Sequence, residues 1–420
     1  MAKIVILGTL DTKWDEISFM KRLMESKGHM ATIVDVGPLG PPVADPDISN
    51  EKVARWGGWG LQVLLQTPER GQIMRVMGEG AGWCLLDLYR TNRLDGVIAI
   101  GGNQGTAIAS IAMRALPIGF PKFMVSTVAS GNIRPYVGDK DIGVVFSVAD
   151  LIGGPNPVSR SILANAVGAL VGMVENGARV TTQPGERTIA VTALGNTEPA
   201  VKQAMKLLRE AGFQVIAFHA SGAGGSAMEE LIEEGIIHGV LDLTPHELTE
   251  EVVGAGAYVP VRPGRLKSAG AKGIPQVIST GGMEYLCFGP RESIPMRLRK
   301  RKIYMHNPYN ANLRVSAKEM ARVGQTMAER LNGAKGPTAV MIPLRGWSVY
   351  GAPGGPLHDP LAYKAFLKAL RSHLHANIQY REVDAHINNE SFVELCVKQL
   401  KAFMDDVTSK QSPGHLPQRA

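Results

Sequence analysis

Thr9, Asp11, Thr12 and Lys13 stand close together in Ile4–Glu16, IVILGTLDTKWDE, and bring two hydroxyls, a carboxylate and a cation to one short turn. Gly8 lets the chain turn just ahead of them, and this combination suits a nucleotide phosphate, with Asp11 placed to hold Mg2+ and Lys13 as charge partner. Asp11 or Thr12 is also placed to cap the following helix, Thr12 and Asp15 being spaced like a capping box. Capping by one of them leaves Thr9, Lys13 and the other oxygen for a ligand. Gly101, Gly102, Asn103, Gln104, Gly105 and Thr106 form a second group: two glycines, a polar pair, then Gly-Thr at a helix start. Their N–H groups can make an anion-binding nest, although the pattern is neither a Walker A sequence nor GxGxxG. Ser126 and Thr127 end a third apolar run in the same way. Asp35 ends a fourth, where an acid either reads a ribose hydroxyl or closes the next turn.

The second half offers different chemistry. Ser221, Gly222, Gly224 and Gly225 lie in SGAGGS ahead of a helix, a second candidate anion site, with His219 just before them. His306, Asp384 and His386 sit at ends of apolar runs, as do His358, Asp359 and Glu284. This is the inventory of a general acid/base or a divalent-metal site. No pair has a ligand spacing such as HxxxH, and each histidine on its own also reads as a hydrogen-bonded structural group. An enzyme would hold a substrate anion on the glycine turn and move a proton with His219 or His306. Asp384 would orient a histidine or bind a metal. No nucleophile-elbow sequence surrounds Ser221 or Ser226.

The elements that must carry these residues are short apolar strands alternating with helices. Ile4–Leu7 is a continuous apolar run, as doubly covered parallel strands require, and Trp14, Ile17, Met20, Leu23 and Met24 recur at helical spacing. His29–Gly37, Leu94–Gly102, Lys122–Ala129 and Ile142–Val148 continue one sheet, closed by a helix at Ser159–Glu175. After a Gly/Pro-rich linker at Gly177–Glu186 the pattern starts again: with Ile4 set against Ile189, Thr12 meets Thr197 and Leu23 meets Leu208. The fold class is α/β, two Rossmann-like lobes with parallel sheets, an internal repeat or two products of the same fold constraints. The expected boundaries are 1–180, 187–407 and a disordered tail over 408–420.

At 420 residues, with 45% hydrophobic and 20% charged side chains, the chain reads as globular with two domains. Three scattered cysteines, Cys84, Cys287 and Cys396, argue against disulfides and structural zinc and read as buried thiols in a reducing, cytoplasmic setting. The apolar stretch Ile162–Val174 is too short to span a bilayer, so no membrane partner is expected. The net charge of +7 is dispersed except for RLRKRK at Arg297–Lys302, read as a solvated helix face. No aromatics interleave with that run, so nucleic acid is not the expected partner.

Taken together, GTLDTKWDE, GGNQGT, STVASGN followed by PYVG, HASGAGGSAMEEL, HNP and EVDAHIN resemble the Tm-one-like ATP-binding module family, that of the plant tobamovirus-resistance protein and its bacterial and fungal relatives. The resemblance covers residues 3–395. It implies a two-lobed Rossmann-like fold, ATP binding chiefly by the first lobe, and a homodimer. The matching nucleotide site is Gly8, Thr9, Asp11, Thr12 and Lys13 with Gly101–Thr106 and Ser126-Thr127. Two function classes follow: an enzyme acting on a small carboxylate or phosphorylated metabolite in a cleft between the lobes, or a nucleotide-binding regulatory or interaction module without catalysis.

Overall fold

A strand such as Ile4–Leu7 has no polar face, so both of its sides need apolar cover. The computed structural model describes residues 1–411 except Pro41 and Pro184 and supplies that cover. Ile4 and Ile6 enter one core with Leu163, Val167 and Leu170, while Val5 and Leu7 enter another with Met77, Leu85 and Ile108. Successive side chains point to opposite faces, and full burial of each contributes roughly 1.5–3 kcal/mol.

The chain forms two compact units, Met1–Val180 and a second beginning at Thr181. The first contains β1 (Lys3–Gly8), β2 (Met30–Asp35), β3 (Gly96–Gly101), β4 (Lys122–Ser126) and β5 (Gly143–Phe146). They make one parallel sheet in the order β2-β1-β3-β4-β5. The second unit contains β6 (Thr188–Ala193), β7 (Gln214–His219), β8 (Gly239–Asp242), β9 (Gln276–Ile278), β10 (Tyr285–Phe288), β11 (Ile303–Asn307), β12 (Asn310–Arg314), β13 (Thr338–Pro343) and β14 (Gln379–Val383). Its main sheet is parallel in the order β14-β13-β9-β8-β6-β7. The two sheets share a winding: the second strand lies outside the first, and the later strands add on the other side. Ile4 and Ile189 are each the second residue of their strand, as the sequence register requires.

A three-stranded antiparallel sheet, β10-β12-β11, is inserted between β9 and β13 and lies outside the expected two-sheet plan. Only Ile303–Met305 reads as a strand from pattern. The turn Pro308-Tyr309 closes a hairpin in which Asn307 pairs with Asn310, so polar residues extend both strands. Ahead of it, RLRKRK is not a helix face. It spans a 3-10 turn, Met296–Leu298, and a loop in which Arg299 donates to the Ile294 carbonyl and Arg301 forks onto Glu319 at 2.7 and 2.9 Å.

Two further expectations change. The helix covering the first sheet is Pro157–Asn176, among the described residues one that is long and apolar enough by length and composition to cross a membrane. It exceeds Ile162–Val174 because Asn156 caps it through the Val158 and Ser159 N–H groups with Pro157 in the first turn, and its Leu163, Val167 and Leu170 are packed in the core. The last helix, Glu390–Gln411, runs through 408–411, where a disordered tail was expected; the rest of that tail lies outside the described residues. The expected Ser316–Glu319 capping box is present, opening the helix Ala317–Asn332.

Candidate functional site

In the first unit, neighbours β1 and β3 send their connections to opposite sides, and the crevice outside their carboxyl ends is where open α/β sheets take ligands. The turns after β1, β3 and β4 meet there. A Cβ on Gly105 would stand 3.9 Å from Thr9 Cγ2, and one on Gly102 would stand 3.7 Å from Thr127 Oγ1. The helix Asn103–Arg114 begins at Gly102 with no side-chain cap, so its first N–H groups face this crevice uncapped. Gln104 is in the same turn, and Asn103 Oδ1 accepts from the Tyr136 hydroxyl at 3.3 Å.

Neither Asp11 nor Thr12 caps the helix Trp14–Ser26. Lys13 holds the N-cap position, again without a side-chain hydrogen bond. The main chain closes the turn itself, the Thr9 carbonyl accepting from the Thr12 and Lys13 N–H groups at 3.2 and 2.9 Å. The Thr9 and Thr12 hydroxyls pair at 2.9 Å, and the Thr12 hydroxyl also donates to Asp11 Oδ1 at 3.4 Å, with the carboxylate beside Gly37 and Gly40. Thr106 and Ser126 are structural: their hydroxyls bond each other at 2.7 Å in a buried position, and Thr106 also donates to the Gly101 carbonyl.

Asp35 is buried. Its Oδ1 accepts from Gly37 N–H at 2.9 Å and from Leu10 N–H at 3.2 Å, closing the turn, while Oδ2 has no hydrogen-bond partner among the described residues. Burial raises its carboxyl to about 6, with nearby Asp11 adding to the rise and the two N–H bonds opposing it. Both acids approach Gly37: a Cβ there would stand 3.1 Å from Asp11 Oδ1 and 3.2 Å from Asp35 Oδ1. A separate cavity of about 530 Å³ lies at the other edge of this sheet, by Ala2, Asp95 and Pro121.

In the second unit the glycine turn is already occupied by the chain's own anion. Gly222 N–H and Gly225 N–H donate to Glu247 Oε1 at 2.6 and 3.0 Å, and a Cβ on Gly225 would collide with Glu247 Oε2 at 1.7 Å. Arg265 Nε binds that Oε2 at 2.6 Å, and its other nitrogens reach Glu229 and Asp242, each at 2.7 Å. The expectation that Ser221, Gly222, Gly224 and Gly225 hold a substrate anion is therefore corrected: an internal carboxylate satisfies the nest.

A cavity of about 540 Å³ opens nearby, at the carboxyl ends of β6 and β7 and against the inserted sheet. His219 and His306 both line it, together with Tyr258, Tyr285, Tyr350 and several asparagines. His306 Nδ1 pairs with the Tyr350 hydroxyl at 2.9 Å, and Asn196 Nδ2 donates to the Tyr285 hydroxyl at 2.5 Å. Asp384 and His386 do not line this cavity. Both Asp384 oxygens accept from exposed Arg345, at 2.7 and 2.6 Å, so Asp384 is not placed to orient a cavity histidine, and His386, a candidate catalytic group, has its Nδ1 taken by Asn388 N–H. Asp359 caps the helix Pro360–His373, and His358 Nδ1 meets the Gly351 carbonyl at 2.9 Å.

Two residues not singled out from sequence, His246 and Glu250, sit behind this cavity next to Cys287. His246 and Glu250 are fully buried on the helix His246–Val253, one turn apart. Cys287, expected to be a buried thiol, keeps its sulfur largely buried while the residue lines the cavity. His246 Nε2 lies 3.1 Å from Glu250 Oε1, and that oxygen also accepts from Cys287 N–H at 2.6 Å. His246 and Glu250 at i, i+4 are the one signal the sequence carried, and their partner lies 37 residues beyond Glu250.

Two models of one uncharacterised protein family, UPF0261, match end to end: its N-terminal domain over residues 2–179 and its C-terminal domain over 186–404. This chain belongs to the UPF0261 family. A UPF0261 protein of Clostridium tetani is 41% identical over 405 residues, covering 96% of this chain and 99% of its own length. The ToMV resistance protein Tm-1 of Solanum lycopersicum is 33% identical over 416 residues, covering 94% of this chain and 55% of that protein. Among solved structures, UDP-N-acetylglucosamine 2-epimerase from Rickettsia bellii is similar at a TM-score of 0.24 and 10% identity, over 98% of this chain and 99% of that one. A likeness at that level does not bear on the UPF0261 site.

Proposed function

We propose that this UPF0261 protein binds ATP with Mg2+ in its first unit and acts as an enzyme on a small polar metabolite in the cavity of its second. The observation that carries the nucleotide reading is the convergence of uncapped helix starts, Lys13 and the Asp11/Asp35 pair at the β1/β3 carboxyl ends. Phosphates would lie over Gly101–Gly105, Asp11 would hold Mg2+, and the unpartnered Asp35 Oδ2 would take a ribose hydroxyl or share the cation. Calorimetric titration with Mg-ATP is expected to give saturable binding, and Lys13→Ala to weaken it by about 1–3 kcal/mol, the scale of a charge-assisted contact. No heat at millimolar nucleotide would overturn the reading.

For the metabolite, the two histidines and the amide-rich lining favour a hydrogen-bonding substrate, and a carboxylate or phosphate on it would be met by His219 and His306. His219→Ala and His306→Ala are expected to keep the fold and the nucleotide affinity while abolishing turnover of a substrate found by metabolite screening. Equal turnover in both variants would remove the catalytic role. We also propose a homodimer, since closed two-fold assemblies are the commonest; sedimentation giving a 45.1 kDa species at micromolar concentration would refute it.

A further inference from the structure

We propose that His246 Nε2, a Glu250 carboxylate oxygen and Cys287 Sγ bind a divalent ion of the zinc class, with the remaining coordination position opening into the 540 Å³ cavity. The three donor atoms all lie within 4.8 Å of one another, a spacing that one ion at bonds of about 2.0–2.3 Å can draw together. A nitrogen, an oxygen and a sulfur donor suit a borderline-soft ion, whereas Mg2+ and Ca2+ want oxygen alone.

The outer contacts are those a metal site needs. His246 Nδ1 meets the Gly282 carbonyl at 2.6 Å. A carbonyl can only accept, so Nδ1 carries the hydrogen and Nε2 is turned toward Glu250 and Cys287. Nε2 then faces a carboxylate oxygen at 3.1 Å, an approach that calls for a positive charge between them, either a second ring proton or a metal ion. Glu250 is held from both ends: Oε1 by Cys287 N–H at 2.6 Å and Oε2 by Tyr258 N–H at 2.5 Å. Burying this set at 0% exposure for both His246 and Glu250 is costly unless something compensates, and Cys287, which lines the cavity, gives an ion its route in. Three protein ligands and one open position is the arrangement of a catalytic rather than a structural zinc ion. The site deepens the cavity reading above, resting on it only for what would occupy the open position.

The test uses the full chain, dialysed against chelator and titrated with Co2+ alone. About one equivalent is expected to bind and to produce a thiolate-to-cobalt charge-transfer band. Cys287→Ser is expected to abolish that band, and Glu250→Gln to weaken binding more than tenfold. Cys84→Ser, altering a thiol buried in the other unit, and His219→Ala, altering the cavity wall, are expected to leave it unchanged. Thermal midpoints of all four variants establish that each is folded; should Glu250→Gln not be, Cys287→Ser decides. No charge-transfer band, or one that survives Cys287→Ser, overturns the metal site while leaving nucleotide binding and turnover to stand. A Cys287-dependent band in a protein without turnover supports the metal site and sinks the enzyme reading.

Discussion

Arg265→Met is expected to destabilise the second unit by about 3–5 kcal/mol, read as a fall in urea midpoint with little change in slope. Arg265 is fully buried, and its guanidinium meets Glu247, Glu229 and Asp242 at 2.6–2.7 Å. Burial alone would lower its pKa, but the three carboxylates outweigh that and hold it well above the ordinary arginine value. Removing the cation leaves those carboxylates buried together without their partner. The loss also spreads locally, because Glu247 fixes Gly222 and Gly225, and Glu229 accepts from Leu266 and Ser268 N–H at 2.7 and 2.8 Å. Arg265→Lys keeps a charge but not the fork, and is expected to lose less than the methionine variant and still more than 1 kcal/mol. A change within about 1 kcal/mol for Arg265→Met would show that the network is dispensable.

That network explains why one part of the second unit was misread from sequence. SGAGGS has the composition of an anion nest, and it is one; what composition does not carry is that Glu247, 22 residues beyond Gly225, folds back to fill it. The strands that bury both faces were legible because a continuous apolar run such as Ile4–Leu7 has few alternatives, and the repeat was legible because both units start with the same strand, turn and helix. The inserted sheet was not, since Asn310–Arg314 mixes asparagine and arginine with apolar residues and is held by pairing to β10 and β11. Yet β10, β11 and β12 supply Cys287, His306 and Asn312 to the cavity. Sequence proximity misled in the opposite direction at Asp384 and His386, two residues apart but neither lining the cavity: Asp384 is committed to exposed Arg345, and His386 to the backbone of its own loop at Asn388. In the first unit the candidate residues meet because parallel strands put all their carboxyl ends on one edge, which needs topology and not contact prediction.

The turn after β2 offers the sharpest separation of stability from function, through Asp35→Asn. Asp35 titrates near 6 in the folded chain against 3.8 for its ordinary value. Between those limits the folded state holds a proton that the unfolded state has released, so wild-type stability is expected to fall as pH rises from about 4 to about 6 and to level off above. At 1.36 kcal/mol per pKa unit, the rise corresponds to roughly 3 kcal/mol of stability forgone at neutral pH. Asparagine keeps an oxygen for the Leu10 and Gly37 N–H groups but cannot ionise, so the variant is expected to gain about 1–3 kcal/mol at pH 7 and to lose the slope between pH 4 and 6. A structural turn-closer would do no more than this. If Oδ2 instead takes a ribose hydroxyl or Mg2+, the same variant is expected to bind Mg-ATP at least tenfold more weakly while being the more stable protein. A flat wild-type pH profile would remove the electrostatic account of Asp35, and unchanged Mg-ATP affinity in the stabilised variant would confine this residue to the turn.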